Sequence, residues 1–156
     1  MGDTGKPRIE ELEAFHVIGL EQLCDHGADN NLPALWDRLF KRWEEIQSFR
    51  DFYGVCLPRT DGRPGFRYLA AAQVDPGTAP PEGMDLAEVP AMKYAVYPFD
   101  DVVAAFPAKF EEIYGTLLQR DGLTPHPSYQ CLEYYPPDCY DEQTKKIRAD
   151  IYVSIV

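Results

Sequence analysis

The alternation of apolar and polar residues predicts a strand and then a helix near the start of the chain. Residues 15–23 mix β-branched and aromatic residues with polar ones, which is typical of a strand. After the polar residues 25–31, apolar residues recur every three or four positions and therefore share one side of a helix. They are Leu32, Leu35, Trp36, Leu39, Phe40, Trp43 and Ile46. Residues 53–57 and 66–74, separated by a turn-rich stretch, predict a hairpin.

The same order of elements returns in the second half of the chain. Residues 75–90 hold four prolines and two glycines, which favours an extended connector. Residues 91–97 predict a strand and residues 103–117 a helix. Residues 128–135 and 150–156 predict the two closing strands. Within the helix, Pro107 predicts a kink or a distinct first turn, and Gly122 is placed to end it.

These patterns predict one α+β domain built by duplication. Residues 1–13 form a lead-in, and residues 14–156 form the domain, with repeats over about 14–74 and 91–156 joined by residues 75–90. Each repeat has the order strand-helix-strand-strand. Two such units bury their sheets by pairing about a pseudo-twofold axis, which leaves a central groove where a small molecule can bind.

Composition and charge exclude several classes of function. The chain has 26 acidic and 15 basic residues and a net charge of -11, which disfavours binding to nucleic acid or to an anionic membrane. It has no membrane-spanning apolar run and no secretion signal, so we expect a cytoplasmic protein. Its four cysteines and three histidines lack the spacing of metal ligands, so we expect free thiols, no metal and no cofactor. Motifs of common hydrolases and nucleotide-binding proteins are absent.

The strand that ends near Tyr135 holds the principal candidate residue, Glu133. Alternation places Glu133 on one face with Tyr129, Cys131 and Tyr135. If Leu132 faces the helices, Glu133 lies in the groove beside Tyr152. Burial among aromatic rings raises the pKa of a carboxylate, and a bound organic cation would offset the cost of burying its charge. The alternative is that Glu133 is an ordinary polar residue on a half-exposed strand.

Several short segments, in order, resemble the GyrI-like family of effector-binding domains. The matching segments are residues 35–36, 53–55, 66–70, 90–96, 110–114, 132–134 and 151–155. The resemblance implies a duplicated fold that binds amphipathic, often cationic compounds, with a glutamate on the penultimate strand at the position of Glu133. It makes Tyr68, Tyr94 and Tyr152 candidate walls of the site, while Trp36 is either a wall or part of the core. Residues 98–101 depart from the family pattern, which leaves the shape of the groove mouth open.

The leading hypothesis is a stand-alone binding protein for hydrophobic, cationic small molecules, acting in sequestration or sensing. The residues before the first strand are too few for a helix-turn-helix, so we expect no direct contact with DNA. The resemblance also allows a hydrolase of strained electrophiles that uses Glu133 with Tyr68 or Tyr152. A third hypothesis is an inhibitor that binds a partner protein through the acidic surface.

Overall fold

A computed structural model describes residues 6–25 and 30–156, which form one antiparallel sheet with helices on one side. The strands are β1 (Arg8–Leu12), β2 (Phe15–Cys24), β3 (Phe52–Pro58), β4 (Phe66–Val74), β5 (Asp85–Val89), β6 (Met92–Val102), β7 (Cys131–Tyr135), β8 (Tyr140–Asp141) and β9 (Lys146–Ser154). The helices are α1 (Leu32–Phe40), α2 (Phe106–Glu112) and α3 (Leu118–Arg120). The strand order is β1-β6-β9-β7-β3-β4-β2-β5, and β8 pairs with β9.

This strand order is symmetric about the central pair β3–β7. The first repeat supplies β2, α1, β3 and β4, and the second supplies β6, α2, β7 and β9. The pairs Leu12–Met92 and Phe15–Val89 occupy equivalent positions at the two edges of the sheet. The predicted α+β duplication is therefore present in the pairing of the strands.

Each repeat is preceded by an edge strand that the sequence analysis missed. β1 lies in the predicted lead-in and pairs with β6, while β5 lies in the predicted connector and pairs with β2. Both segments are short, charged and mostly exposed. Because an edge strand is protected by charge and brevity, it lacks the apolar alternation that marks an inner strand.

The helices are less regular than the apolar stripes predicted. α1 ends at Phe40 and is followed by a 3-10 turn, Trp43–Glu45, although Ile46 still packs in the same cluster as Leu35. The 3-10 turn thus brings Ile46 into the core without a continuous α-helix, whereas Phe40 and Trp43 stay exposed.

The second helical region has a distinct first turn, as Pro107 predicted. A 3-10 turn, Val103–Ala105, leads into α2, and a π-helical turn, Ile113–Leu117, joins α2 to α3. Gly122, at φ +69°, lies just beyond α3 and ends the region.

Strands β6 and β9 are longer than predicted. β6 continues through residues 98–101 to Val102, and β9 begins at Lys146, so these parts of the strands form a two-stranded extension with β8 at its side. The segment where the chain departs from the family pattern is therefore a continuation of a strand.

The two faces of the sheet bury different sets of residues. On the helix face, one cluster packs under α1 and another under α2, and the second contains Ile151, Val153 and Ile155 as predicted. The opposite face buries a third cluster that includes Leu132 and Tyr152. Within the described ranges, no helix has the length and apolar character that crossing a bilayer requires.

Candidate functional site

Glu133 lies near the middle of β7 and is directed toward the helix face. It is 7% exposed and pairs across the strands with Ile151, which packs under α2. Since directly paired residues project on the same side of a sheet, the two side chains share the helix face. The carboxylate therefore lies in the interior between the two helical regions.

The expected placement of Glu133 beside Tyr152 is wrong. Tyr152 pairs with Leu132, and both pack on the face opposite the helices. Leu132 and its neighbours on β7 are buried on both faces, so the apolar pattern did not reveal which face carries the helices. Tyr94 also lies on the far face, where its ring is 5.6 Å from that of Tyr152 and its hydroxyl accepts a hydrogen bond from Gln130.

Two tyrosine hydroxyls donate hydrogen bonds to the Oε1 atom of Glu133. The Tyr68 hydroxyl on β4 is 2.7 Å away, and the Tyr135 hydroxyl at the end of β7 is 2.6 Å away. The indole N–H of Trp36 on α1 donates to the Tyr68 hydroxyl at 2.9 Å. A hydrogen-bonded chain thus connects the first helix to the buried carboxylate.

Aromatic rings from both helical regions meet above Glu133. The Tyr135 ring lies 5.3 Å from Trp36 of α1 in an edge-to-face arrangement, and 6.3 Å from Phe106 of α2. Of the candidate walls, the structure brings Trp36 and Tyr68 to Glu133, and it leaves Tyr94 and Tyr152 on the other face. Strand alternation placed Tyr135 on the same face as Glu133, but the sequence analysis did not name it as a wall of the site.

Gly54 provides the space in which these groups meet. It lies directly opposite Glu133 on β3, and a Cβ atom there would be 2.4 Å from Glu133 Oε1 and 2.4 Å from the Tyr68 hydroxyl oxygen. Sequence reasoning missed Gly54, although a glycine inside a strand often marks a close approach of another group. Any larger residue would displace the tyrosine or the carboxylate.

Burial controls the protonation of this centre. It raises the pKa of Glu133, and the two tyrosine hydrogen bonds partly oppose that rise. Burial and the nearby carboxylate also raise the pKa of Tyr68 and of Tyr135 well above the usual range. Both phenols therefore remain protonated donors, and the carboxylate is the most acidic group of the three.

The rings enclose Glu133, so access requires a side chain to move. Two surface cavities, of about 250 and 200 Å³, are lined mainly by charged residues and lie away from Glu133. The larger is lined by Asp100, Asp138, Cys139, Asp141, Thr144, Lys146 and Arg148. In the described part of the chain, no cluster of three or more histidine, cysteine or acidic side chains is arranged to hold a metal ion.

The fold and the buried site define a duplicated α+β domain with one enclosed carboxylate among aromatic rings. The family model of the GyrI-like small molecule binding domain matches residues 5–156. The chain belongs to this family, as its segments predicted. The predicted fold class is also confirmed, because solved structures with this architecture match nearly the whole chain.

One relative and two solved structures are similar to nearly the whole chain. It is 33% identical over 151 residues to the transcriptional regulator BrlR of Pseudomonas aeruginosa, covering 95% of this chain and 54% of the regulator, so it spans about half the length of that relative. The structure of SAV2435 bound to tetraphenylphosphonium has a TM-score of 0.73 at 18% identity, covering 97% of this chain and 94% of that one. A putative transcription regulation protein of Staphylococcus aureus MU50 has a TM-score of 0.71 at 19% identity, covering 96% and 97%.

Proposed function

We propose that this domain is a receptor for hydrophobic organic cations, with Glu133 as the counter-ion. The observation that carries the proposal is a carboxylate that is 7% exposed and hydrogen-bonded by two aromatic hydroxyls. Trp36, Tyr68 and Tyr135 form the walls of the site. The domain then acts by sequestering its ligand or by reporting the ligand to a partner.

A cation is the ligand class that this environment favours. An ionised carboxylate inside a protein is costly unless it is paired, and the raised pKa of Glu133 reflects that cost. A bound cation offsets the cost and gains about 0.5–2 kcal/mol from each aromatic face it contacts. A neutral molecule of the same shape gains only the apolar contacts. The ligand of SAV2435, tetraphenylphosphonium, is an aromatic cation and supports this choice.

Binding must rearrange the rings that now cover the carboxylate. Tyr135 lies between Trp36 and Phe106, and the Trp36 indole N–H is bonded to Tyr68. A ligand that reaches Glu133 therefore displaces Trp36 or Tyr135. Because either displacement changes the surroundings of the Trp36 indole, tryptophan fluorescence should change on binding. The chain has two tryptophans, so this signal can be assigned by substitution.

The experiment compares the wild-type protein with Glu133→Gln. Both are titrated with tetraphenylphosphonium and with neutral triphenylphosphine oxide, and heat and tryptophan fluorescence are recorded. We expect the variant to bind the cation at least about tenfold more weakly, equivalent to about 1.4 kcal/mol, and to bind the neutral compound as the wild type does. Equal cation affinity in both proteins would refute the role of Glu133.

A pair of tryptophan variants assigns the fluorescence change to the site. Trp36 contacts Tyr135, whereas Trp43 is 39% exposed and packs against Phe49. Trp36→Phe should abolish most of the change, and Trp43→Phe should retain it. A signal that depends on Trp43 would place the ligand elsewhere.

The two other hypotheses give different results in the same experiment. A hydrolase would change the mass of an electrophilic substrate, and Glu133→Gln would lower its rate more than its binding. In such an enzyme Tyr68 is the available partner, because Tyr152 lies on the far face. An inhibitor that uses the acidic surface would tolerate Glu133→Gln and lose its partner at high salt. If cation binding requires Glu133 and the ligand is recovered chemically unchanged, the result supports the receptor hypothesis.

A further inference from the structure

Two cysteines face each other on the central pair of strands. Cys56 of β3 is directly paired with Cys131 of β7. Cys131 belongs to the cluster under α2, and Cys56 packs against the clusters under both helical regions. Both thiols are free and project on the same side of the sheet as Glu133, which lies two residues beyond Cys131.

The spacing of the two strands favours a link in which one atom lies between the two sulfurs over a direct sulfur–sulfur bond. Directly paired residues of antiparallel strands have Cβ atoms about 4.5–5.5 Å apart. A disulfide requires about 3.5–4.5 Å, which is at or below the short end of that range. A single atom that binds both sulfurs makes a longer bridge and spans the pair without moving the strands.

The surroundings of the thiols limit the chemistry that can reach them. The adjacent Cys131 thiol and burial raise the pKa of Cys56 well above its usual range, and Glu133 adds to the rise. Because the thiolate is the reactive form, the Cys56 thiol should react slowly with peroxides and alkylating agents. A reagent that reacts with both thiols and accepts their two protons on its own leaving group does not need a free thiolate beforehand, so it is the kind of reagent we expect to bind this pair.

We propose that Cys56 and Cys131 form a dithiol site for aryl arsenic(III) compounds. With phenylarsine oxide, each sulfur forms a bond to arsenic, the arsenic–oxygen bond breaks, and both thiol protons leave with that oxygen as water. Arsenic stays trivalent, so the step needs no oxidant or reductant. The aryl group lies among Trp36, Tyr68 and Tyr135; this placement rests on the proposed function, whereas the two arsenic–sulfur bonds do not.

The folded protein is treated with phenylarsine oxide and its intact mass is measured. We expect one adduct per chain, with the mass of the reagent less one water. The adduct should survive 2-mercaptoethanol and be removed by 2,3-dimercaptopropanol, because a dithiol competes with a dithiol. Cys56→Ser and Cys131→Ser should each abolish this stable adduct, and the matched controls Cys24→Ser and Cys139→Ser should keep it.

Peptide mapping of the wild-type adduct tests the same site without any substitution. Arsenic should join the peptides that contain Cys56 and Cys131. A wild-type protein that takes up no arsenic, or an adduct that persists in folded Cys131→Ser, would overturn the inference. Glu133→Gln separates the two proposals, since it should lose affinity for tetraphenylphosphonium and still form the adduct. Cation binding without the adduct would leave the proposed function intact and refute the dithiol site.

Discussion

Two neighbouring rows of side chains cross the middle of the sheet, and only one of them carries the charged group. The cysteine row runs from β4 to β9 and contains Tyr68, Cys56, Cys131 and Val153. The glutamate row lies beside it and contains Ala70, Gly54, Glu133 and Ile151. The pseudo-twofold axis that makes Leu12–Met92 equivalent to Phe15–Val89 passes through the pair Gly54–Glu133, so it maps the glutamate row onto itself.

The two rows share a backbone pattern and differ in chemistry. The axis relates Glu133 to Gly54 and Ile151 to Ala70, so the duplicated sheet places an acid where the other repeat has a glycine. The Tyr68 hydroxyl reaches from the cysteine row to Glu133 through the space that Gly54 leaves open. Duplication therefore accounts for the strands, whereas the site arises from substitutions that break the symmetry.

Adding a methyl group to the glutamate row should have the largest effect. In Gly54→Ala the new Cβ would overlap Glu133 Oε1 and the Tyr68 hydroxyl, each at 2.4 Å. We expect a loss of about 1–3 kcal/mol in the free energy of unfolding, together with weaker binding of tetraphenylphosphonium. Urea denaturation and titration calorimetry measure the two effects.

The matched control for that substitution is Gly115→Ala. Gly115 lies in the π-helical turn, and a Cβ there would have no neighbour within 4 Å. The control should keep its affinity for the cation and gain up to about 0.5–1 kcal/mol of stability, since alanine favours helix. If both variants unfold at the same urea concentration, the close packing inferred at Gly54 is wrong.

The charge of the glutamate row should also make stability and binding respond to pH in opposite directions. Burial raises the pKa of Glu133 in the folded state above its ordinary value of 4.5, so the folded protein favours the protonated form. The stabilising contribution is complete below pH 4.5 and is lost as pH rises through the folded-state pKa. Cation binding needs the ionised form, so affinity should fall by up to about tenfold per pH unit below that pKa.

The difference between the wild type and Glu133→Gln isolates this titration from all others. The free energy of unfolding of each protein is measured from pH 4 to pH 8 in steps of about half a unit. We expect the wild type to lose stability relative to the variant as pH rises. A difference that stays constant across the range would show that Glu133 has an ordinary pKa.

The sequence was sufficient to predict the inner strands and the helical stripes. These features depend on local periodicity, which the six inner strands display in their apolar runs. The edge strands β1 and β5 escaped prediction because their charged residues serve to protect an edge. The sequence also did not predict which face of β7 lies under the helices, because Cys131, Leu132 and Glu133 are all buried.

The geometry of the site depends on contacts between residues far apart in the chain. Tyr68 and Glu133 are 65 positions apart, and Trp36 is 32 positions from Tyr68. Alternation correctly placed Tyr135 on the face of Glu133, but no local signal indicates that its hydroxyl turns back to the carboxylate. Tyr94 and Tyr152 matched an aromatic pattern equally well, and only the pairing of the strands separates them from the site.

The smallest effects should distinguish the tyrosines of the two faces. Tyr135→Phe keeps the ring and removes a hydrogen bond to Glu133, so we expect cation binding to weaken by about 1 kcal/mol, or roughly fivefold in Kd. The same substitution should raise the pKa of Glu133 further, because a donor to the ionised form is lost. Tyr152→Phe alters a ring on the far face, where the hydroxyl accepts a 3.5 Å hydrogen bond from Arg8, and it should leave Kd unchanged. Calorimetric titration of the two variants compares them directly, and a larger loss in Tyr152→Phe would move the ligand to the opposite face of the sheet.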